Sequence, residues 1–484
     1  MHPKVGVFCY TNSMAKSFFF YDLETSGLNP RVDRIMQFAG QRTTMDLVPI
    51  GDPINIYVRL NDDTLPSPDA LMVTGISPQL TVDEGYSEAE FARMLIENIF
   101  THDTIAVGFN NVRFDDEFIR HILWRNFYDP YEWTWKDGRS RWDMLDVIRM
   151  TRALRPEGIK WPVVDGKPTN RLELLTAENG LVHAKAHDAM SDVEALIDVT
   201  RLIRAKQAQL YDYMLTMRDK RAVLKLVNLA DKRPFVYTSG RYEIEYQKTT
   251  VALPLTAGRN GGIVVYDLRY DPTPFLGLDA KEIAKNIFAN YQDRKAEGFT
   301  TIPVKELQPN RTPAVAPLGV LEQNDGWNRI GTNKDAIEKN MHILMKHPDF
   351  AENVRSAYES RPEYPKQTDP EAQLYDSFLN DSDRLRVEAV RNASIRELTD
   401  FNPDFVDERL ADLLLHYKAR NYPQTLSESE MRKWENWRKV RITKQLPAFT
   451  KRLQELSKTK HSEHQEFILQ QMQLWLESII PVDD

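Results

Sequence analysis

Strands and helices alternate from about Ser17 to Thr200, and no other feature narrows the possible fold as much. SFFFYDLE (17–24) is a short apolar run ending in acids. IMQFAGQRTT and INIYVRL read as further strands, and TIAVGFN as a buried one. SEAEFARMLIENIF and DDEFIRHILWRNF have helical spacing, and HDAMSDVEALIDVTRLIRAKQ is a strong amphipathic helix. This alternation predicts an α/β layer fold.

The chain is too long for one core. At 484 residues, and with ~150 residues per domain, roughly three domains are expected. From about Leu210 to Pro362 the pattern changes. RYEIEYQ alternates strictly after the turn dipeptide Ser239-Gly240, with Tyr242, Ile244 and Tyr246 on one face. TTVALPL and GIVVYDL flank a loop holding Asn260-Gly261-Gly262. An antiparallel meander forming a small barrel, with helices appended, is predicted. SRPEYPKQTDPE (360–371) reads as a linker, and from about Ala372 the chain has helical periodicity to its end.

Composition removes several classes. With 42% apolar and 28% charged residues, the chain is neither wholly disordered nor collagen-like. No stretch approaches ~18 uninterrupted apolar residues, so no spanning helix and no membrane partner are expected. The single cysteine, Cys9, excludes an internal disulfide framework and a Cys-rich zinc site. The interrupted N-terminal apolar runs do not read as a signal peptide, which leaves the cytoplasm as the expected location. The first dozen or so residues read as an extension, with Met14 as an alternative start. The net charge, 63 − 71 = −8, argues mildly against a polyanionic partner. Residues 201–250, however, hold 11 Lys/Arg against 5 Asp/Glu, a local +6. Such a stripe is either an electrostatic footprint for nucleic acid or a solvated helix face.

The chemistry lies in the first region. Asp22 and Glu24 are two apart at a strand end, so both side chains point to one face. Paired carboxylates repel unless a cation lies between them, and hard oxygen ligands suit Mg²⁺ or Mn²⁺. In GFNNVRFDDEFIRHIL, Asp115 or Asp116 either binds metal or simply favours a helix N-terminus. In AHDAMSD, His187 and Asp192 are five apart. On one helix they would lie about 140° apart, so they share a site only if His187 sits on the turn before the helix. Together the elements meet one requirement: four carboxylates can hold two divalent ions, and a histidine can take a proton from water.

The joint pattern of Asp22, Glu24, Asp115, His187 and Asp192 resembles the DEDDh exonuclease superfamily. GFNNVRFDDEFIRHILWRNFYDPYEWTW, SRWDMLDVIRMTRALRPEGIKWP, AHDAMSDV, EAQLYDSFLNDSDR and YKARNYPQTL resemble, within it, the bacterial exodeoxyribonuclease I family. The resemblance is thin between about 240 and 345. It implies a ribonuclease H-like exonuclease domain at 17–200. An SH3-like β-barrel domain with appended helices at 201–361 and an all-α domain at 366–484 would follow, the three forming a clamp around DNA. It further implies that Asp22, Glu24, Asp115 and Asp192 hold two Mg²⁺ ions, with Mn²⁺ as a substitute, and that His187 is the general base. Glu24 and Arg171 would contact substrate. The implied activity is 3′→5′ hydrolysis of single-stranded DNA to 5′-mononucleotides, with roles in repair and recombination. The implied partner is the C-terminal tail of single-stranded-DNA-binding protein, and the protein is expected to be a monomer.

Residues 124–135, WRNFYDPYEWTW, hold six aromatics among many arginines. Unpaired bases stack on such rings while cations track phosphates. About half the rings are expected in the core. Arg120, Tyr131, Trp135, Arg149 and Arg155 are, by resemblance, the candidates for strand contact. Tyr131 and Trp135 share a face if the segment is α-helical, and Pro130 favours a helix start there. A chain ending near Thr200 is expected to keep the chemistry. Two other functions fit parts of the pattern. A DEDDh enzyme acting on RNA or in proofreading would need only one domain. A non-catalytic single-strand clamp would not need all five site residues.

Overall fold

The structure, a computed structural model, describes residues 16–181, 188–363 and 365–480. Of these, 16–140, 188–194 and 365–480 form one compact unit, and 141–181 with 195–363 form a second.

The first unit is organised on β1 (Ser17–Thr25). It lies between β2 (Ile35–Thr43), antiparallel to it and joined to β3 (Ile54–Tyr57), and β4 (Thr104–Gly108), parallel to it. Phe18 and Phe20 on one face of β1 and Phe19, Tyr21 and Leu23 on the other are all buried. A strand covered on both faces reads as a continuous apolar run, which explains SFFFY. Phe38, Phe91, Phe100, Phe118, Ile122 and Trp133 pack with the Phe19–Leu23 face.

The helices beyond residue 365 close the same unit. Ile442, Phe449, Ile468, Met472 and Trp475 share one core with Met36, Leu60 and Leu71. Val390, Leu410, Leu413 and Tyr417 share another with Trp124 and Phe127. The nuclease-like segment therefore does not bury its own surfaces unaided. A chain ending near Thr200 would expose both cores.

The second unit carries an antiparallel sheet of β5 (Phe235–Thr238), β6 (Thr249–Ala257), β7 (Ile263–Asp267), β8 (Val304–Leu307) and β9 (Ala314–Pro317), in the order β8-β7-β6-β5-β9. Among the described residues it is an open sheet with β8 and β9 at its edges, not a closed barrel. The β6–β7 register slips between Val264 and Val265, opposite Pro254, where the missing N–H breaks the ladder.

RYEIEYQ is not a strand. Thr238 pairs with Thr249, so residues 239–248 are the hairpin connection itself, with a 3₁₀ turn at Ile244–Tyr246 and positive φ at Gln247 and Lys248. Its alternation reflects anchoring of the loop. Tyr242 is buried, with the Lys305 ammonium 3.6 Å from its ring centre.

Candidate active site

Three elements of the first unit bring carboxylates together. The alternation of β1 places Asp22 and Glu24 on the Phe18–Phe20 face, just beyond the apolar run. Helix α1 (Asp115–Arg125) supplies Asp115 as its first residue. Helix α2 (Ala189–Lys206) supplies Asp192 in its first turn. Carboxylate oxygens of Asp22, Glu24 and Asp192 lie within 4.8 Å of one another. Asp115 acts on both Asp22 and Glu24 through its charge.

The neighbouring Asp116 has a different job. It is fully buried, accepts a hydrogen bond from the Tyr21 hydroxyl at 2.5 Å and another from Asn111 Nδ2 at 3.2 Å. Those bonds pin the start of α1 against β1 and leave Asp115 as the acid of the cluster. Gly108, at the end of β4, permits this approach, since a Cβ there would lie 2.5 Å from Asn111 Cβ.

The electrostatics of the cluster are unbalanced. Burial first, and then the charges of Asp115, Glu24 and Asp192, hold the Asp22 carboxyl well above the usual carboxylate range. Burial, Asp192, Asp115 and Asp188 push Glu24, 9% exposed, up to about 8. The charged neighbours that act most on both groups are all carboxylates. Acids crowded in this way stay ionised at neutral pH only when a cation joins them. The donor set is all oxygen, which fits a hard divalent ion.

Asp188 was not singled out in the sequence. It bears on Glu24, and its carboxylate also accepts from the Ser191 N–H at 3.2 Å at the start of α2. Its place beside His187 in AHDAMSD was the available signal. His187 itself lies outside the described residues, as does the N-terminal extension with Met14.

The other residues predicted to meet substrate fall into two groups. Arg120, Tyr131 and Trp135 belong to the first unit. Arg120 is buried, pairs with Glu117 at 2.9 Å and stacks over the Tyr131 ring at 5.5 Å. Tyr131 also packs near Tyr375 and Phe378. The segment Glu132–Thr134 is a 3₁₀ turn, not an α-helix, so Tyr131 and Trp135 do not share a helix face. Trp124, Phe127 and Trp133 are core, whereas Trp135 is 63% exposed. In the second unit, Arg149 pairs with Asp146 at 2.7 Å. Arg155 donates to the Val320 carbonyl at 3.3 Å and to Gln323 at 3.0 Å. Arg171 is largely exposed and pairs with Glu173.

A second acid group, Asp369, Glu371 and His416, also has metal-ligand spacing. Its charge is already answered, because Arg34 reaches Glu371 at 2.7 Å, Arg441 reaches Asp369 at 3.1 Å, and Arg420 pairs with Glu371.

Comparison with known proteins finds matches along most of the chain. Residues 19–200 match the exonuclease family, 218–360 the exonuclease I SH3-like domain and 368–479 the exonuclease I C-terminal domain. The chain is 39% identical over 446 residues to exodeoxyribonuclease I of Escherichia coli, covering 91% of this chain and 93% of that protein. It is 36% identical over 453 residues to exodeoxyribonuclease I of Haemophilus influenzae, covering 93% and 95%. E. coli exonuclease I in complex with a dA16 oligonucleotide superposes with a TM-score of 0.92 at 36% identity, over 96% of this chain and all of that one. A zinc-ion-bound complex of E. coli exonuclease I with single-stranded DNA gives 0.92 at 35% identity, over 97% of this chain and all of that one. A structure of SSB/exonuclease I with an inhibitor gives 0.89 at 34% identity, over 96% and all.

Proposed function

The chain belongs to the exodeoxyribonuclease I family, and from that membership we propose that it hydrolyses single-stranded DNA from the 3′ end to 5′-mononucleotides. The observation that carries this reading is the acid cluster at the end of β1, where burial and neighbouring carboxylates push Asp22 and Glu24 upward. Asp22, Glu24, Asp115 and Asp192 are the residues to hold divalent metal, two Mg²⁺ ions with Mn²⁺ as substitute. When bound, such ions neutralise phosphate charge and make water acidic enough to attack at neutral pH.

The protein's own groups do the rest. His187 accepts the proton of the attacking water, a general-base role. Glu24 and Arg171 orient the terminal nucleotide, with Arg171 presenting a fork of donors to its phosphate. Trp135 offers an exposed face to a base, and Tyr131, with Arg120 stacked on it, lines the approach. Arg149 and Arg155 are further proposed contacts for the strand. The domains are taken as 17–200, 201–361 and 366–484. The acidic tail of single-stranded-DNA-binding protein is the proposed protein partner. The enzyme is proposed to work as a monomer in the cytoplasm, in DNA repair and recombination. No helix among the described residues is long and apolar enough to cross a membrane.

The test is degradation of end-labelled single-stranded DNA, duplex DNA and RNA, with Mg²⁺ and with chelator. Mononucleotide release from the 3′ end of single-stranded DNA, abolished by chelator, is expected. Faster attack on RNA would favour the RNA-directed alternative, and binding without cleavage would mean a non-catalytic clamp.

A further inference from the structure

A cleft of about 400 Å³ opens in the first unit, away from the acid cluster's own residues. Its walls come from the helix Glu88–Met94, the C-terminal end of α1 and the end of the helix Arg409–Asn421. Three arginines line it: Arg59, Arg93 and Arg391. The one lining carboxylate, Glu90, is engaged in its own helix cap, accepting from the Ser87 N–H at 2.9 Å and the Ser87 hydroxyl at 2.7 Å. Three positive charges and one negative leave a net +2.

These arginines differ from those buried elsewhere in the unit. Neither the Arg59 nor the Arg93 guanidinium has a hydrogen bond or ion pair among the described residues. Arg391 is held in place, 4.6 Å over the Tyr128 ring and donating to the Phe127 carbonyl at 3.0 Å. That uses one of its five N–H donors. Arg93 and Arg391 both favour the charged form of the Tyr128 hydroxyl, against the burial that dominates there, so their charges converge on one point. Tyr417 and Tyr422, with rings 5.6 Å apart, line the cleft beside Tyr128, and Ser87, Ala89, Asn126 and Asn421 complete its wall.

Guanidinium forks match phosphate oxygens, and a phosphomonoester carries about −1.5 to −2 at neutral pH. The cleft is much larger than inorganic phosphate needs, and aromatic faces beside the charge suit a base. We propose that this cleft binds a nucleoside 5′-monophosphate, with phosphate on Arg59, Arg93 and Arg391 and the base among the tyrosines. The choice of a nucleotide rests on the proposed function, whose product is a 5′-mononucleotide.

The test is calorimetric titration of the full chain in EDTA with deoxyadenosine 5′-monophosphate, deoxyadenosine and inorganic phosphate. The wild type is compared with Arg59→Ala/Arg93→Ala and with Arg93→Glu. Both arginines are exposed, so the variants should fold. The nucleotide should bind the wild type at least about tenfold more tightly than either fragment, and each variant should lose about tenfold or more. Equal affinity in wild type and variants, or equal affinity for nucleoside, phosphate and nucleotide, overturns the proposal. Because the titration needs no cleavage, nucleotide binding by a protein that fails to degrade DNA would sink the nuclease reading and leave this site standing.

Discussion

Two groups of buried and half-buried acids lie in the same compact unit, and they are opposite in design. At the end of β1, the carboxyls of Asp22 and Glu24 face other carboxylates and are pushed upward. At the junction with the C-terminal helices, four acids meet four arginines. Arg125 forks onto Glu88 at 2.7 and 3.2 Å, Arg420 reaches Asp63 at 2.9 Å, and Arg34 bridges Asp63 and Glu371. Arg441 donates to the Asp63 carbonyl at 3.0 Å and pairs with Asp369. Burial alone would raise Asp63, Glu88 and Glu371, yet the arginines outweigh it and all three are lowered, whereas the half-buried Asp369 stays raised by burial and Glu371 despite Arg441. Burial of acids therefore marks nothing by itself. What distinguishes a cation site is whether the protein supplies the counter-charge.

The largest effect should come from removing a charge from the unbalanced group. Asp192→Asn should abolish nearly all cleavage in Mg²⁺ while leaving single-strand binding within a few-fold. Unlike a change at a balanced site, it should not lower the stability of the metal-free protein. Relief of repulsion should be greater at pH 8 than at pH 5, where the raised carboxyls are protonated. Denaturant melts of both proteins across that range check the sign. His187→Ala should cost about 10²–10⁴ in kcat with metal affinity kept, and collapse of metal binding would make the histidine a ligand instead.

The balanced group should respond in the opposite way. Arg420→Met removes a buried guanidinium from both Asp63 and Glu371, leaving them to Arg34, and should cost up to about 3–5 kcal/mol of stability, with little direct effect on the acid cluster. Lowered carboxyls contribute stability that is complete above their unfolded pKa, about 4, and lost as pH falls through the folded value. The unfolded states titrate alike, so the stability gap between wild type and Arg420→Met should be largest near pH 8 and shrink as pH falls through the carboxyl pKa of the variant, which burial raises once a guanidinium is gone. A gap that does not change with pH would mean that the junction acids are not held down by Arg420.

The smallest effect carries the same contrast into the aromatic strip. Trp133 is sealed in the core and Trp135 is open. Trp135→Ala should cost ~1–3 kcal/mol in single-strand affinity and little in melting temperature. Tyr131→Ala should lower both, because its ring also supports Arg120 and packs near Tyr375.

Strand alternation made the pairing of Asp22 and Glu24 legible in the sequence, whereas the choice of Asp115 over Asp116 and the joining of Asp192 to the cluster came from the family resemblance. The junction was not legible. Arg34 and Glu371 are 337 positions apart, and Asp63 and Arg420 are 357 apart, so no local periodicity links them. The same long-range packing joins the C-terminal helices to β2 and α1. RYEIEYQ misled because alternation records which side chains are buried, and a hairpin loop anchored by Tyr242 buries them too. A shared face for Tyr131 and Trp135 requires an α-helix, and the 3₁₀ turn found there carries the same short spacing signals.

The most direct test is the thermal stability of the metal-free wild type and of Asp192→Asn as Mg²⁺ or Mn²⁺ is added. The unbalanced cluster predicts that metal stabilises the wild type, by about 2.7 kcal/mol at a hundred times the dissociation constant, and that the variant loses most of this gain. No stabilisation of the wild type, or the same stabilisation in both proteins, would contradict the account.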